Sequence, residues 1–435
     1  MSALLAGAVF GGTIGTVVVR QLLRRGPPVW AVFSAGALLA VATGELSVPA
    51  AGAAVAGNAT LFGFLLALFV FAAALESSGA LEHGARWLLG RTGSGRDLPP
   101  VLFVAFAALS AFVLNDAVVV VATPLVIAIA RQRNLPPKPL LLALMLGVTV
   151  GSVPTPFGNP QNLLISLDSG LSAPVATFLR YLLLPTGVSV AVGALWLRHT
   201  LGPRFSGETV RPLAEGARVR LLPEGHLAPI LRRAPVLIVF PVTMSAIVTV
   251  DLASAVSGGF APPLAAMALV GAGVTLALTP GRTRVVRRVD WTILLLFAAL
   301  FVTVAGAVEG GLAPTLESVL AVPSHGAPAP TIGAIVLSSA VGSQLVSNVP
   351  WAALELPVLV SAGYGAGQPW AFAALAGAST LAGNLTLLGA ASNLIVVERA
   401  EREGIRIGLL EFVRDAAPIA AISLAVLFAC LVVGL

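Results

Sequence analysis

Long apolar runs separated by short arginine-bearing loops make up this chain, and the polar residues that interrupt them recur at a fixed spacing. Runs of helical length fall at Met1 to Val19, 29–44, 60–78, 139–166, 176–197, 234–250, 262–279, 291–308, 370–397 and 415–434. About 20 apolar residues cross a bilayer as a helix. Two further apolar stretches do not fit that length. One lies between Arg96 and Arg131 and holds 34 residues, with Asn115-Asp116 near its middle. The other runs near 331–363 and carries Ser347-Asn348. Two full spans would need about 40 residues and a turn. Each stretch is therefore predicted to be a re-entrant hairpin that turns at its polar tip. The runs 139–166 and 370–397 are broken, the first at Pro154–Pro160 and the second near 385–392.

The interruptions come in pairs. Asn115 and Asn348 are 233 positions apart, as are Pro124 and Pro357, and Glu76 and Glu309. Thr155-Pro-Phe-Gly158-Asn-Pro-Gln-Asn162 matches Thr386-Leu-Leu-Gly389-Ala-Ala-Ser-Asn393 at an offset of 231. The chain is two copies of one unit. Polar residues recurring inside apolar sequence are the mark of a secondary transporter with its site at the repeat interface.

Charge sets the orientation. Arg20, Arg24 and Arg25 follow the first run; Arg86, Arg91 and Arg96 precede the first hairpin, and Arg131, Arg133 and Lys138 follow it. From Glu309 to Glu398 there is no Lys or Arg. Under the positive-inside rule one topology places every Lys and Arg except Arg180 in the cytoplasm. It has about ten spans and two hairpins entering from opposite sides. The reading is an all-α polytopic membrane protein in two inverted repeats: repeat 1 at 1–197, a basic cytoplasmic linker at 198–233, and repeat 2 at 234–435.

Composition narrows the function class. Apolar residues are 57% and charged residues 10% of the chain, and mean hydropathy is +0.97. Soluble proteins carry about 25% charged residues. The isoelectric point near 10.8 reflects loop arginines and does not imply nucleic acid; the partner is the lipid bilayer of the cytoplasmic membrane. Cys430 is the only cysteine, so a disulfide within the chain and a Cys-rich metal site are excluded. All four histidines fall in predicted loops, which removes an intramembrane Ser-His dyad or His metal site. No nucleotide-binding motif is present. The expectation is a permease, not an enzyme, with no cofactor and with Na⁺ or H⁺ as coupling ion.

The candidate site follows from chain breaks at membrane depth. Such breaks are tolerated only when buried in protein or facing a wet cavity. They leave unsatisfied N–H and C=O groups. Asn115, Asn348 and Ser347 stand at the tips, where a short side chain can cap the outgoing helix. Thr155, Gly158, Asn159, Gln161 and Asn162 line the first break, and Thr386, Gly389, Ser392 and Asn393 the second. Their amides and hydroxyls suit a polar solute. Asp116 is the one acid at a tip, and an acid inside a span is a functional candidate by default; it is the expected coupling-ion residue. Val349 replaces it in the second copy. Glu355 is a weaker candidate two turns past the second tip. Glu76, Glu309 and Arg180 sit near helix ends and read as structural. Gly7, Gly11 and Gly15 have the spacing of a helix-packing stripe.

The motifs Asn115-Asp116 with Thr123-Pro124, Gly151 to Asn162, Val289-Asp290-Trp291, Ser347-Asn348-Val349-Pro350 and Gly383-Asn384-Leu385-Thr386 carry a family resemblance. The chain resembles the ion-transporter superfamily of arsenite permeases, NhaD antiporters and divalent-anion/sodium symporters, in particular the YbiR-like anion permeases. That resemblance implies a scaffold part, a moving part with the hairpins, and a homodimer. It also implies ion-coupled transport of a small anion or oxyanion-like solute, with arsenite or antimonite efflux as one form. The tip Leu114-Asn115-Asp116 looks like the arsenite branch, which points to proton coupling. A sodium/proton antiporter of the same fold and a dicarboxylate symporter are the alternatives.

Overall fold

The computed structural model describes residues 2–23, 26–79, 95–205, 234–257, 263–312, 315 and 327–434, and over these it is all helical. The first half contains α1 (Ser2–Leu23), α2 (Val29–Ala42), α3 (Val48–Ala56), α4 (Ala59–Ser78), α5 (Leu98–Ser110), α6 (Asn115–Gln132), α7 (Pro137–Gly151), α8 (Pro160–Asp168) and α9 (Pro174–Thr200). The second contains α10 (Val236–Ser257), α11 (Leu264–Leu278), α12 (Arg282–Arg288), α13 (Trp291–Glu309), α14 (Pro328–Val346), α15 (Asn348–Ser361), α16 (Pro369–Ala382), α17 (Ala391–Arg402) and α18 (Leu409–Val433). Corresponding helices start 230 to 235 residues apart. Of the linker 198–233, the stretch 206–233 lies outside the described residues.

Seven described helices (α4, α6, α9, α10, α13, α14 and α18) are long and apolar enough to cross a membrane, and α1, α2, α7, α11 and α16 contribute shorter apolar segments. The protein is a multi-pass membrane protein. Both hairpins form where the length argument placed them, as α5–α6 and α14–α15. Both broken crossings form as α7–α8 and α16–α17. Two short helices, α3 and α12, were not expected. Nine residues of small apolar side chains are too few to read as a span. Yet Ser47 caps α3 by accepting the Ala50 N–H at 3.2 Å, with Pro49 in the first turn. Its counterpart α12 is a run of arginines and valines that starts after Gly281, at φ +81°.

Helix contacts come in exchanged pairs. α2 packs on α13 and α4 on α11; α1 packs on α2 and α10 on α11; α5 packs on α7 and α14 on α16. The outgoing hairpin arms cross over. α6 packs on α17 and α15 on α8. A two-fold relation between the halves requires this exchange.

Ion pairs mark one end of the molecule. Asp97 meets Arg198 at 3.1 Å, Arg131 meets Glu403 at 2.6 Å, Lys138 meets Glu411 at 3.1 Å, and Arg204 meets Asp415 at 2.9 Å. The exposed pairs among these add little stability, but they fix position; Asp415 alone is buried. Both feet of the first hairpin stand at the same end, beside the end of α9 and the start of α18. In the second hairpin, Thr331 and Tyr364 join the two feet through their hydroxyls at 3.0 Å.

The crossing helices are the core of each half. Every residue of α7 from Pro139 and of α16 from Trp370 is buried, as expected of a helix apolar all round. Here glycine sets the packing. A Cβ on Gly147 would lie 2.6 Å from the Phe103 carbonyl, and one on Gly151 would overlap the Ala107 backbone. Gly151→Ala must push α5 off α7, and overpacking costs about 1–3 kcal/mol. A lower melting temperature in detergent is the expected result; an unchanged melt would mean the two helices part freely. The Gly7, Gly11, Gly15 series, by contrast, packs no helix within the described chain. A Cβ at Gly11 or Gly15 meets nothing within 4 Å, and one at Gly7 only touches Leu312 at 3.9 Å. α1 instead turns buried Thr13 toward Gly36 of α2.

Candidate functional site

Each hairpin tip is tied to the broken helix of its own half by the same bond. The Asn115 N–H donates to the Gly158 carbonyl at 2.9 Å, and the Asn348 N–H donates to the Gly389 carbonyl at 3.0 Å. Both glycines are needed. A Cβ on Gly158 would overlap Ser152, and one on Gly389 would sit 2.7 Å from Gln344 Oε1. The two asparagines do not form the cap expected of them. Each Oδ1 accepts the very next N–H, from Asp116 at 2.8 Å and from Val349 at 3.0 Å. The reason is register: each asparagine is the first helical residue, one place further in than a cap. The tips differ in shape. Four residues, Ala111–Leu114, join α5 to α6, whereas Ser347 alone joins α14 to α15, at φ +73° and ψ +159°. That region is close to glycine-only, and such strain gathers at functional sites.

The breaks are stitched by side chains. Asn162 Nδ2 donates to the carbonyls of Ser152 (3.0 Å), Val153 (3.2 Å) and Thr155 (3.2 Å). Asn393 Nδ2 donates to the Gly383 carbonyl at 2.8 Å. Asn159 caps α8 by accepting the Asn162 N–H at 2.8 Å. Thr155 donates to the Ala111 carbonyl. At the equivalent place half-buried Thr386 donates to Gln344 Oε1 at 2.8 Å, and Gln344 Nε2 donates to the Ala382 carbonyl at 2.8 Å.

Thr380 of α16 joins the two halves. Its hydroxyl donates to Asn162 Oδ1 at 3.1 Å and accepts from Asn159 Nδ2 at 3.2 Å and Gln161 Nε2 at 3.3 Å. The sequence reading missed Thr380 and Gln344. The available signal for Thr380 was its match to Thr149, again at the 231 offset.

At the two breaks, four fully buried side-chain oxygens have no hydrogen-bond partner among the described residues: Gln161 Oε1, Asn384 Oδ1, Ser392 Oγ and Asn393 Oδ1. Buried polar atoms in native structures are nearly always paired. Four such oxygens at the two breaks could accept from a donor-bearing ligand or hold a cation. Asn384 joins the expected residues on this ground; Asn159 and Asn162 are held by structural bonds.

Asp116 is 7% exposed in the first turn of α6. Among the described residues none donates to its carboxyl, so it is not a cap. The charge that reaches it is that of Asp290, at the head of α13. Glu355 is fully buried between α14 and α15. Glu76 pairs with Arg288 at 3.3 Å, and exposed Arg180 lies 5.3 Å from the Tyr181 ring centre; both stand outside the tips and breaks.

The chain has relatives among known transporters and membrane proteins. The silicon efflux transporter LSI3 of Oryza sativa subsp. japonica is 29% identical over 84% of this chain and 84% of its own. The inner membrane protein YbiR of Escherichia coli is 30% identical over 66% of this chain and 68% of its own. The solved structure of the YdaH transporter of Alcanivorax borkumensis, whose topology is described as unusual, aligns with a TM-score of 0.54. It covers 88% of this chain and 86% of that one at 18% identity, a likeness of fold. The citrate transporter family matches residues 21–377. The chain belongs to that family and is a membrane transporter, not an enzyme.

Proposed function

We propose that this protein is a proton-coupled secondary transporter of a small hydroxylated oxyacid, of which arsenite, antimonite and silicic acid are examples, across the cytoplasmic membrane. The observation that carries the reading is the set of four unpaired acceptor oxygens at the two breaks. A solute ringed by hydroxyls supplies donors to them. No Lys or Arg lies in either tip or break, so a fully ionised tricarboxylate finds no side-chain cation there. The name of the rice relative, a silicon efflux transporter, is in keeping with such a solute. Asp116 is the coupling residue, and the orientation is that set by the arginine-bearing loops.

The test is uptake into proteoliposomes, with a pH gradient or a Na⁺ gradient imposed separately. Arsenite, antimonite and silicic acid are compared with sulfate, phosphate, citrate and succinate. We expect the hydroxylated acids to accumulate with the pH gradient and to be indifferent to Na⁺. Na⁺-dependent uptake of citrate or succinate alone would make the protein a carboxylate symporter. Na⁺/H⁺ exchange with no solute at all would make it an antiporter.

A further inference from the structure

Each hairpin contains a single acidic residue, but the two sit at different depths. The first hairpin has Asp116 at its tip, and the second has Glu355 about two turns beyond its tip. Glu355 has no exposed surface. Ser338 Oγ donates to Oε1 at 2.5 Å and Ser339 Oγ to Oε2 at 3.2 Å, both from the facing arm α14. Trp351, one turn earlier on α15, brings its indole N–H toward the same carboxyl without completing a hydrogen bond. The ring is wedged against Gly342, where a Cβ would overlap it.

Among the described residues no cation pairs with this carboxyl. The helices packed on α15 are α14, α16, α8 and α13. α14 and α16 carry no titratable side chain. α8 carries only Asp168 at its far end, and α13 has Asp290 before its first turn and Glu309 in its last. Tyr364, beyond the end of α15, is bonded to Thr331. From Val289 to Glu398 there is no Lys or Arg. A buried charge is costly unless it is paired, so the charge on Glu355 is tied to whether water or a proton reaches it.

Structural need does not explain this group. At the 233 offset the first hairpin has Ala122 in place of Glu355, Ala105 and Phe106 in place of Ser338 and Ser339, and Val118 in place of Trp351. The first hairpin therefore forms without a carboxyl at this place. The second hairpin has replaced that set with a carboxyl, two hydroxyl donors and an indole. An ionisable residue within a span marks an ion or proton path by default.

We propose that Glu355, cradled by Ser338 and Ser339, is a second proton-binding site, in the hairpin that lacks an acidic tip. It binds a proton while the arms are closed and releases it when they part and water enters. The proposal rests on the reading of the chain as a proton-coupled carrier, and adds a second proton to each cycle.

The test is infrared pH titration of the full-length protein in lipid, which needs no solute. The variants are E355Q, D116N and the double variant. A carboxylic-acid C=O band should titrate in D116N and vanish in the double variant, while E355Q should lose that band and keep only the one that D116N removes. A band that is absent from D116N, or that does not respond to pH there, overturns the proposal whatever the solute is. S338A/S339A keeps the carboxyl and removes both donors, so the midpoint of the band should move; an unmoved midpoint also overturns it. In proteoliposomes loaded with arsenite as probe, E355Q should move one proton fewer per arsenite than wild type. An equal ratio overturns the second site while leaving the coupled-carrier reading intact. Arsenite movement without protons in wild type overturns both.

Discussion

Asp116→Asn is expected to remove most pH-gradient-driven accumulation of solute while leaving the protein folded and inserted. The carboxyl accepts no hydrogen bond from the described residues, and the Asp116 N–H is already held by Asn115 Oδ1 at 2.8 Å. The substitution thus keeps volume and backbone bonding and removes only the ability to titrate. At the N-terminal end of α6 the helix dipole presents partial positive charge and favours the carboxylate; the amide gives up that attraction but buries no new charge. Solute binding, read as a thermal shift, should persist, and exchange down a solute gradient should continue. Accumulation against the solute gradient should fall to no more than the one remaining proton per cycle can drive. Should Asp116→Asn accumulate solute with undiminished dependence on the pH gradient, the proton crosses elsewhere.

The largest loss of stability is expected at Thr380. One hydroxyl there serves Asn159, Gln161 and Asn162 together. Thr380→Val keeps the shape and leaves Gln161 Nε2 and Asn162 Oδ1 without a partner, while Asn159 Nδ2 keeps Ser152. An unsatisfied buried group costs about 1–3 kcal/mol, so the total loss is on the order of 3 kcal/mol or more. Thr380→Ser retains the hydroxyl and should restore most of it. The valine variant should melt well below wild type and lose its solute-induced thermal shift, and the serine variant should recover both. A valine variant that melts with wild type would show that the two breaks hold together without this residue.

Much of the architecture was legible because lipid makes polarity rare and therefore informative. Asn115 and Asn348, or Asn162 and Asn393, stand out in apolar surroundings, and their nearly equal spacings of 233 and 231 expose the duplication. Helix lengths followed because bilayer thickness is fixed. What escaped depends on facing surfaces. Thr380 reads as one more small residue in an apolar helix until α16 is laid against α8. Which amide oxygens stay unpaired depends on which loop carbonyls reach each Nδ2 group, as at Asn162. The serines around Glu355 are found only when the register of the two arms is known. The glycines of α1 show the converse error: spacing identifies a stripe, not what covers it. Gly147 and Gly151 do the close packing, at the same spacing, on another helix.

The crossing-over of the outgoing arms has a consequence for how such a chain can evolve. Each tip is bonded to the break of its own half, yet α6 lies on α17 and α15 on α8. Neither ancestral unit can keep its hairpin seated without a broken helix from the other. Once the duplicated gene was fused, the halves became mutually obligate, and a separated half should neither persist nor function unless its complement is co-expressed. The same interlock limits drift. A substitution on α17 is felt first by the hairpin of the opposite half, so the two copies can specialise, as Asp116 and Glu355 have, only in step with each other.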